Sequence, residues 1–117
     1  MAKYERSLKG NFNELLACLQ TDINSSISAT CEDSSSVTMG SVKIAVRVYE
    51  RYSMMGGNRV SLNITLVGDN DNNLFLSAIS AGGSQAVFFK INTFGEEAFL
   101  NICRESVENY ISKRGRG

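Results

Sequence analysis

The 117-residue sequence contains no histidine, no proline and no tryptophan. Because histidine is the commonest general base and a frequent metal ligand, its absence excludes Ser–His and Cys–His catalytic pairs and histidine-bound zinc. Cysteine occurs three times, as Cys18, Cys31 and Cys103, widely spaced and with no C-x-x-C pair. This argues against a disulfide framework and a zinc site, so we expect buried free thiols in a reducing compartment. We therefore expect no metal and no cofactor.

Net charge is also absent, since twelve Lys and Arg residues balance twelve Asp and Glu residues. The whole molecule therefore has no electrostatic attraction to nucleic acid or to an anionic membrane, and copies of it repel one another little. No apolar run approaches the length of a membrane span, and the N-terminal MAKYERSLKG lacks the apolar core of a secretion signal. We expect one cytoplasmic domain over residues 1–117, binding neither membrane nor nucleic acid.

Hydrophobic periodicity predicts two helices. Apolar residues recur at helical spacing from Phe12 to Ile23, and Asn11 with Glu14 matches a capping box, which predicts a helix over residues 12–22. A second pattern of the same kind, Thr93 with Glu96, predicts that another helix starts there and continues close to the C-terminus.

Alternating apolar and polar residues predict the strands. The predicted segments are residues 2–8, 25–33, 41–52, 58–67 and 73–80, with an optional short strand at 37–39 and polar or glycine-containing turns at 32–36, 53–57 and 68–72. The order β-α-β-(β)-β-β-β-α predicts an α+β fold. We expect a two-layer sandwich, in which an antiparallel sheet of about four to six strands is covered on one face by two helices. Whether residues 84–91 join the sheet stays open.

One candidate binding site is a basic strip on the open face of this sheet. If the turn at residues 53–57 places Tyr52 opposite residue 58, then Arg51 faces Arg59, and the valine row of residues 42–48 faces the helices. Like charges that face each other cost stability, so these arginines need an acidic partner or the carboxylate or phosphate of a small anionic ligand. The residues predicted to line the surface are Arg47, Tyr49, Arg51, Arg59 and Asn63.

Two further motifs have structural interpretations. The glycine-rich segment Gly82-Gly83-Ser84 lacks the lysine of a Walker loop and the GxGxxG spacing. We interpret it as a corner that leads from the last strand to the second helix, with an anion site as the alternative. The segment Asp69–Asn73 copies the first half of a calcium loop, but leucine and serine follow where glycine and glutamate belong, which favours a hairpin turn.

The open face also has a less polar end, at Ala45, Phe75 and Ile79. Monomers rarely leave such a patch bare, so we expect self-association, a protein partner or a small ligand to cover it. Three functions stay open: a non-enzymatic binding module, a histidine-free enzyme that works beside the arginines, and a purely structural subunit. The acids or bases of the enzyme alternative are Glu32, Glu50 and Tyr49.

Two long runs of the sequence resemble a family of short bacterial domains of unknown function. They are VYERYSMMGGNRVSLNITLVGD, at residues 48–69, and FLSAISAGGSQAVFFKINTFGEEAFL, at residues 75–100. The resemblance extends over nearly the whole chain, from GNFNELL to ENYI, and implies a small bacterial cytosolic domain with no assigned catalytic residue. Its most distinctive stretches cluster on turns and on the basic strip, and they are Glu50-Arg51-Tyr52, Gly56-Gly57-Asn58-Arg59 and Gly82-Gly83-Ser84-Gln85.

Overall fold

The protein is an α+β sandwich with one open sheet. A computed structural model describes residues 1–26, 29–52, 59–82 and 89–115. Its elements are β1 (Ala2–Lys9), α1 (Phe12–Asn24), β2 (Thr30–Met39), β3 (Val42–Tyr52), β4 (Arg59–Gly68), β5 (Asn73–Gly82) and α2 (Phe89–Gly115). The five strands form one antiparallel sheet in the order β1-β5-β4-β3-β2, and the helices lie mainly over β1, β5 and β4. The predicted fold class is confirmed.

The core lies between the two helices and one face of the sheet. The helices bury one side each at helical spacing, and the buried residues are Leu15, Leu19, Ile23, Phe99, Leu100, Cys103, Val107 and Tyr110. The rows of β4 and β5 that were predicted to face inward are buried against them, namely Val60, Leu62, Ile64, Leu66, Leu74, Leu76 and Ala78. Each large side chain among these contributes about 1.5–3 kcal/mol on burial, so this single layer of contacts dominates the stability.

A tyrosine of α2 fixes the corner between β1 and α1. The Tyr110 hydroxyl accepts a hydrogen bond from the Asn11 backbone N–H at 2.9 Å and donates one to the Glu14 carboxylate at 3.2 Å. Asn11 Oδ1 accepts from the Glu14 backbone N–H at 2.9 Å, which confirms the predicted N-cap. In an ordinary capping box the Glu14 side chain would accept a hydrogen bond directly from the Asn11 backbone N–H. Here the Tyr110 hydroxyl lies between these two groups and bonds to both. Gly10 lies against the ring, where a Cβ would stand 2.7 Å from Tyr110 Cε2.

The hairpin between β4 and β5 is organised by one carboxylate. Asp69 accepts hydrogen bonds from the Asp71 backbone N–H at 2.9 Å, the Asn73 backbone N–H at 3.0 Å and the Asn73 side-chain amide at 3.0 Å. The bonds from Asn73, its side chain first, lower the pKa of Asp69. Asn72 has a φ of 62°, which asparagine tolerates better than most residues. The prediction of a hairpin turn is confirmed.

Two predicted segments have different boundaries. Residues 30–39 form one continuous, fully exposed strand, whereas the sequence predicted a strand that gives way to a turn at 32–36. Because β2 lies at the sheet edge, away from the main helix contacts, a serine-rich sequence can form it. α2 begins at Phe89, four residues before the predicted Thr93, so residues 89–91 are helical and do not join the sheet. The predicted glycine turn at 53–57 lies outside the described residues.

Candidate interaction face

β3 pairs with β4 one residue away from the predicted register. Tyr52 lies opposite Arg59, and Tyr49 lies opposite Leu62, whereas residue 58 was the predicted partner of Tyr52. Side chains alternate between the two faces of a sheet, so a shift of one residue moves every side chain of β3 to the other face relative to β4. The predicted common face for the basic strip is therefore wrong.

The five residues of the predicted strip lie on two opposite faces. Arg47, Tyr49 and Arg51 are on the helix-covered face, because each lies opposite a buried residue of β4. Arg59 and Asn63 alternate with those buried residues, and so they lie on the open face. The sheet itself therefore separates the residues that were expected to form one binding surface.

Arg47 connects α1 to the β2–β3 hairpin. Its Nε donates to Gln20 Oε1 at 2.9 Å, and its Nη1 donates to the Ser35 carbonyl at 2.9 Å and to Ser36 Oγ at 3.2 Å. A further bond from Nη1 reaches the Val46 carbonyl at 2.9 Å. These contacts hold the edge of the sheet to the first helix, and they explain this arginine without a bound ligand.

Tyr49 and Arg51 are also explained by packing. Tyr49 is only 1% exposed, and burial raises the pKa of its hydroxyl, which makes it a core residue and a poor general base. The Arg51 guanidinium lies 4.7 Å from the centre of the Phe99 ring, and burial lowers its pKa. This cation–π contact attaches the end of β3 to α2.

The acidic partner of Arg59 is Glu50. Arg59 Nη1 lies 3.1 Å from Glu50 Oε1, and the observed register is what brings both side chains to the open face. The arginine side chain is 62% exposed, so the pair contributes at most about 1 kcal/mol. Glu50 and Tyr49 lie on opposite faces, and the exposed Glu32 accepts a hydrogen bond from the Thr30 hydroxyl. The acids and bases of the enzyme alternative do not share one pocket.

The remaining predicted site residues fall in different places. Gly82 is the last residue of β5, whereas Gly83 and Ser84 lie outside the described residues. Within the described part of the chain, no group of three or more cysteine or acidic side chains is arranged to hold a metal ion. Nor does a helix of that part have the length and apolarity needed to cross a bilayer.

The three thiols differ in their surroundings. Cys103 is fully buried, and this burial raises its pKa to about 12. Cys18 is half-buried. Cys31 is exposed, which contradicts its predicted place on a buried face, because β2 extends beyond the helix layer. The prediction of a buried thiol is confirmed for Cys103 alone.

The open face of the sheet is rich in apolar side chains. The observed register turns the valine-rich row of β3 away from the helices, and this row consists of Val42, Ile44, Val46 and Val48. Three transverse rows of the open face cross all five strands. From β1 to β2 they are Lys3-Ile79-Asn63-Val48-Asp33, Glu5-Ser77-Thr65-Val46-Ser35 and Ser7-Phe75-Val67-Ile44-Val37.

Several large apolar side chains of this face are in contact with solvent. Phe75 is 40% exposed, Ile79 39%, Val37 47% and Met39 67%. The exposure predicted for Phe75 and Ile79 is thus confirmed, while Ala45 is buried on the covered face. The rest of the open face could have been found from the β-branched row of β3, but that row is the more apolar of the two, and its composition therefore predicts a place in the core.

Comparison with known proteins assigns a family and no activity. The family model of DUF6054, a family of unknown function, matches residues 1–111. No curated protein and no solved structure matches the chain. The resemblance to a family of unknown function is confirmed.

Proposed function

We propose that this chain, which belongs to DUF6054, is a non-enzymatic protein-interaction domain whose binding surface is the open face. The observation that carries the proposal is the orientation of β3. Its valine-rich row points away from both helices, whereas its covered row contains Lys43, Arg47 and Arg51. An antiparallel sheet with one solvated side normally has polar residues on that side. The residue types of β3 therefore fit a second layer on the open side.

The apolar area of the open face favours association. Four large apolar side chains of the open face contact solvent, namely Phe75, Ile79, Val37 and Met39. Removing such surface from water contributes about 25 cal/mol per Å², so a partner that covers the face gains several kcal/mol before the cost of association. An apolar groove of about 570 Å³, lined in part by Val42 and Val67, continues the face toward the β4–β5 turn.

The edges of the sheet are less suitable for binding than its face. β2 has an irregular register between Cys31 and Asp33, and the acidic Glu32 lies within it. Such bulges and charges on an edge strand discourage pairing with another strand. The other edge, β1, contains four charged residues among eight. A partner is therefore expected to pack on the side chains of the open face.

Site-specific photo-crosslinking tests the proposal. A benzophenone amino acid is placed at Phe75, and a matched control is placed at Asn109, which is exposed on α2. We expect light-dependent adducts from position 75 in cells that produce the chain, and none of comparable yield from position 109. Equal adduct formation at both positions, or none at either, would overturn the proposal.

The bacterial and cytoplasmic origin that the resemblance implies belongs to the same proposal. The three free thiols support a reducing compartment, because extracellular proteins of this size commonly oxidise their cysteines. Persistence of all three thiols in protein taken from cells under acid quench, measured by mass spectrometry, is the expected result.

A further inference from the structure

We propose that the occupant of the open face is a second copy of this chain, related by a twofold axis that runs along β4 within the interface. This inference rests on the proposed function and adds the partner and its orientation. The net charge of zero removes long-range repulsion between two copies. The orientation follows from the three transverse rows of the open face.

A twofold axis along the central strand places each row opposite the same row of the second copy. β5 then meets β3 of the other copy, and β1 meets β2. In the row that begins at Ser7, Phe75 faces Ile44 of the second copy. In the row that begins at Lys3, Ile79 faces Val48 of the second copy. Apolar side chains thus meet apolar side chains beside the axis in these two rows, whereas in the row between them Ser77 faces Val46. Packed sheets cross at about 30°, and because this rotation displaces residues in proportion to their distance from its centre, the pairs on the strands next to β4 are displaced less than those at the rim.

The same axis pairs opposite charges at the rim. Lys3 lies at the β1 end of the first row and Asp33 at its β2 end. The axis therefore places Lys3 of each copy opposite Asp33 of the other, and symmetry makes this contact twice. Lys3 has a distant contact with Glu5, at 3.9 Å, and its side chain is 61% exposed, so it can reach across an interface. Complementary charges of this kind set the orientation of a complex.

A twofold axis perpendicular to the strands fits less well. It would place the first row opposite the third row of the second copy. Phe75 would still meet Ile79 and Ile44 would still meet Val48, so apolar contacts do not separate the two axes. The charges do, because Asp33 would face Val37 and lose water without a partner. Lys3 would face a serine. The charge pattern therefore favours the axis along β4.

The area of the face is sufficient for a stable dimer. Its strands contain eight to eleven residues. With spacings of about 4.8 Å between strands and about 3.3 Å per residue, the face measures about 24 by 30 Å, or about 700 Å². A standard protein interface buries about 800 Å² on each partner. A second copy thus covers the face without additional elements.

A charge-exchange experiment tests the inference with the full chain. Native mass spectrometry and analytical ultracentrifugation are expected to find a dimer of the wild type at micromolar concentration. Lys3→Asp and Asp33→Lys each create two like-charge contacts across the axis, so each is expected to weaken the dimer by about tenfold or more. An equimolar mixture of the two variants restores attraction at both contacts, and it should form a heterodimer. Lys113→Asp, the same charge change on the exposed end of α2, serves as the control.

The outcomes separate this inference from the proposed function. A monomeric wild type, or two variants that fail to recombine on mixing, would overturn the homodimer. If position 75 then still crosslinks to a different protein, the interaction domain stands with another partner. Phe75→Glu provides a second variant, expected to be a monomer with an unchanged circular dichroism spectrum. A dimer that survives this substitution would place the interface elsewhere.

Discussion

Tyr110→Phe removes a single oxygen atom and leaves the aromatic ring against Gly10. That oxygen accepts the Asn11 backbone N–H at 2.9 Å and donates to Glu14 at 3.2 Å, and the tyrosine is only 8% exposed. Without it the part-buried N–H loses its acceptor, which costs about 1–3 kcal/mol, whereas the exposed Glu14 carboxylate turns to water at little cost. We expect the free energy of unfolding to fall by about 2 kcal/mol.

Tyr4→Phe is the matched control for this prediction. The Tyr4 hydroxyl donates to Glu108 at an exposed site between β1 and α2, so its loss should cost less than about 1 kcal/mol. Urea unfolding followed by circular dichroism, at one fixed protein concentration, measures both variants, and fixing the concentration removes the contribution of association. In thermal unfolding the Tyr110→Phe variant should melt about 8 °C lower. An equal decrease in the free energy of unfolding for the two variants would contradict this prediction. It would mean that packing of the Tyr110 ring, and not its hydroxyl, stabilises the contact between β1 and α1.

Two further predictions concern titrating groups. The folded-state pKa of Asp69 is lowered, so its turn bonds stabilise the protein above the unfolded pKa of about 4 and this contribution is lost as the pH falls through the folded-state value. Urea unfolding of the wild type should therefore weaken more steeply in acid than that of Asp69→Asn, and parallel curves would contradict this. A thiol reagent at mildly alkaline pH should label the exposed Cys31 quickly and Cys103 only after unfolding, because burial raises the pKa of Cys103 to about 12. Peptide mass spectrometry follows both sites, and fast labelling of Cys103 in the native protein would contradict its position.

The parts of the fold that could be predicted are those in which the deciding information is local. The stripe from Phe12 to Ile23 has only one apolar side, so α1 has one possible orientation toward the core. β4 alternates between polar and apolar residues from Arg59 to Leu66, which fixes its buried row without reference to a neighbour. The hairpin at Asp69 could be predicted for the same reason, because the hydrogen bonds that form its turn join residues within a five-residue segment.

The candidate site depended on information that is not local. Both rows of β3 carry apolar residues, since Tyr49 and Ala45 occupy one row and four β-branched residues the other. Hydrophobicity alone assigns the β-branched row to the core. The actual assignment depends on the pairing of Tyr52 with Arg59, and a change of one residue in that pairing reverses the result. The prediction of the basic strip failed at this step and not in its choice of elements.

The reversed strand also supplies the argument for a second layer. On the covered face, the long side chains of Arg47 and Arg51 reach Gln20 of α1 and Phe99 of α2, so cations there have partners at the edge of the helix layer. On the open face, by contrast, the valine-rich row of β3 points away from both described helices. A strand placed between one helix layer and water has no physical reason to direct its most apolar row outward, whereas a strand between two layers does. The composition of β3 is therefore that of an interior strand, and a partner on the open face would make it one.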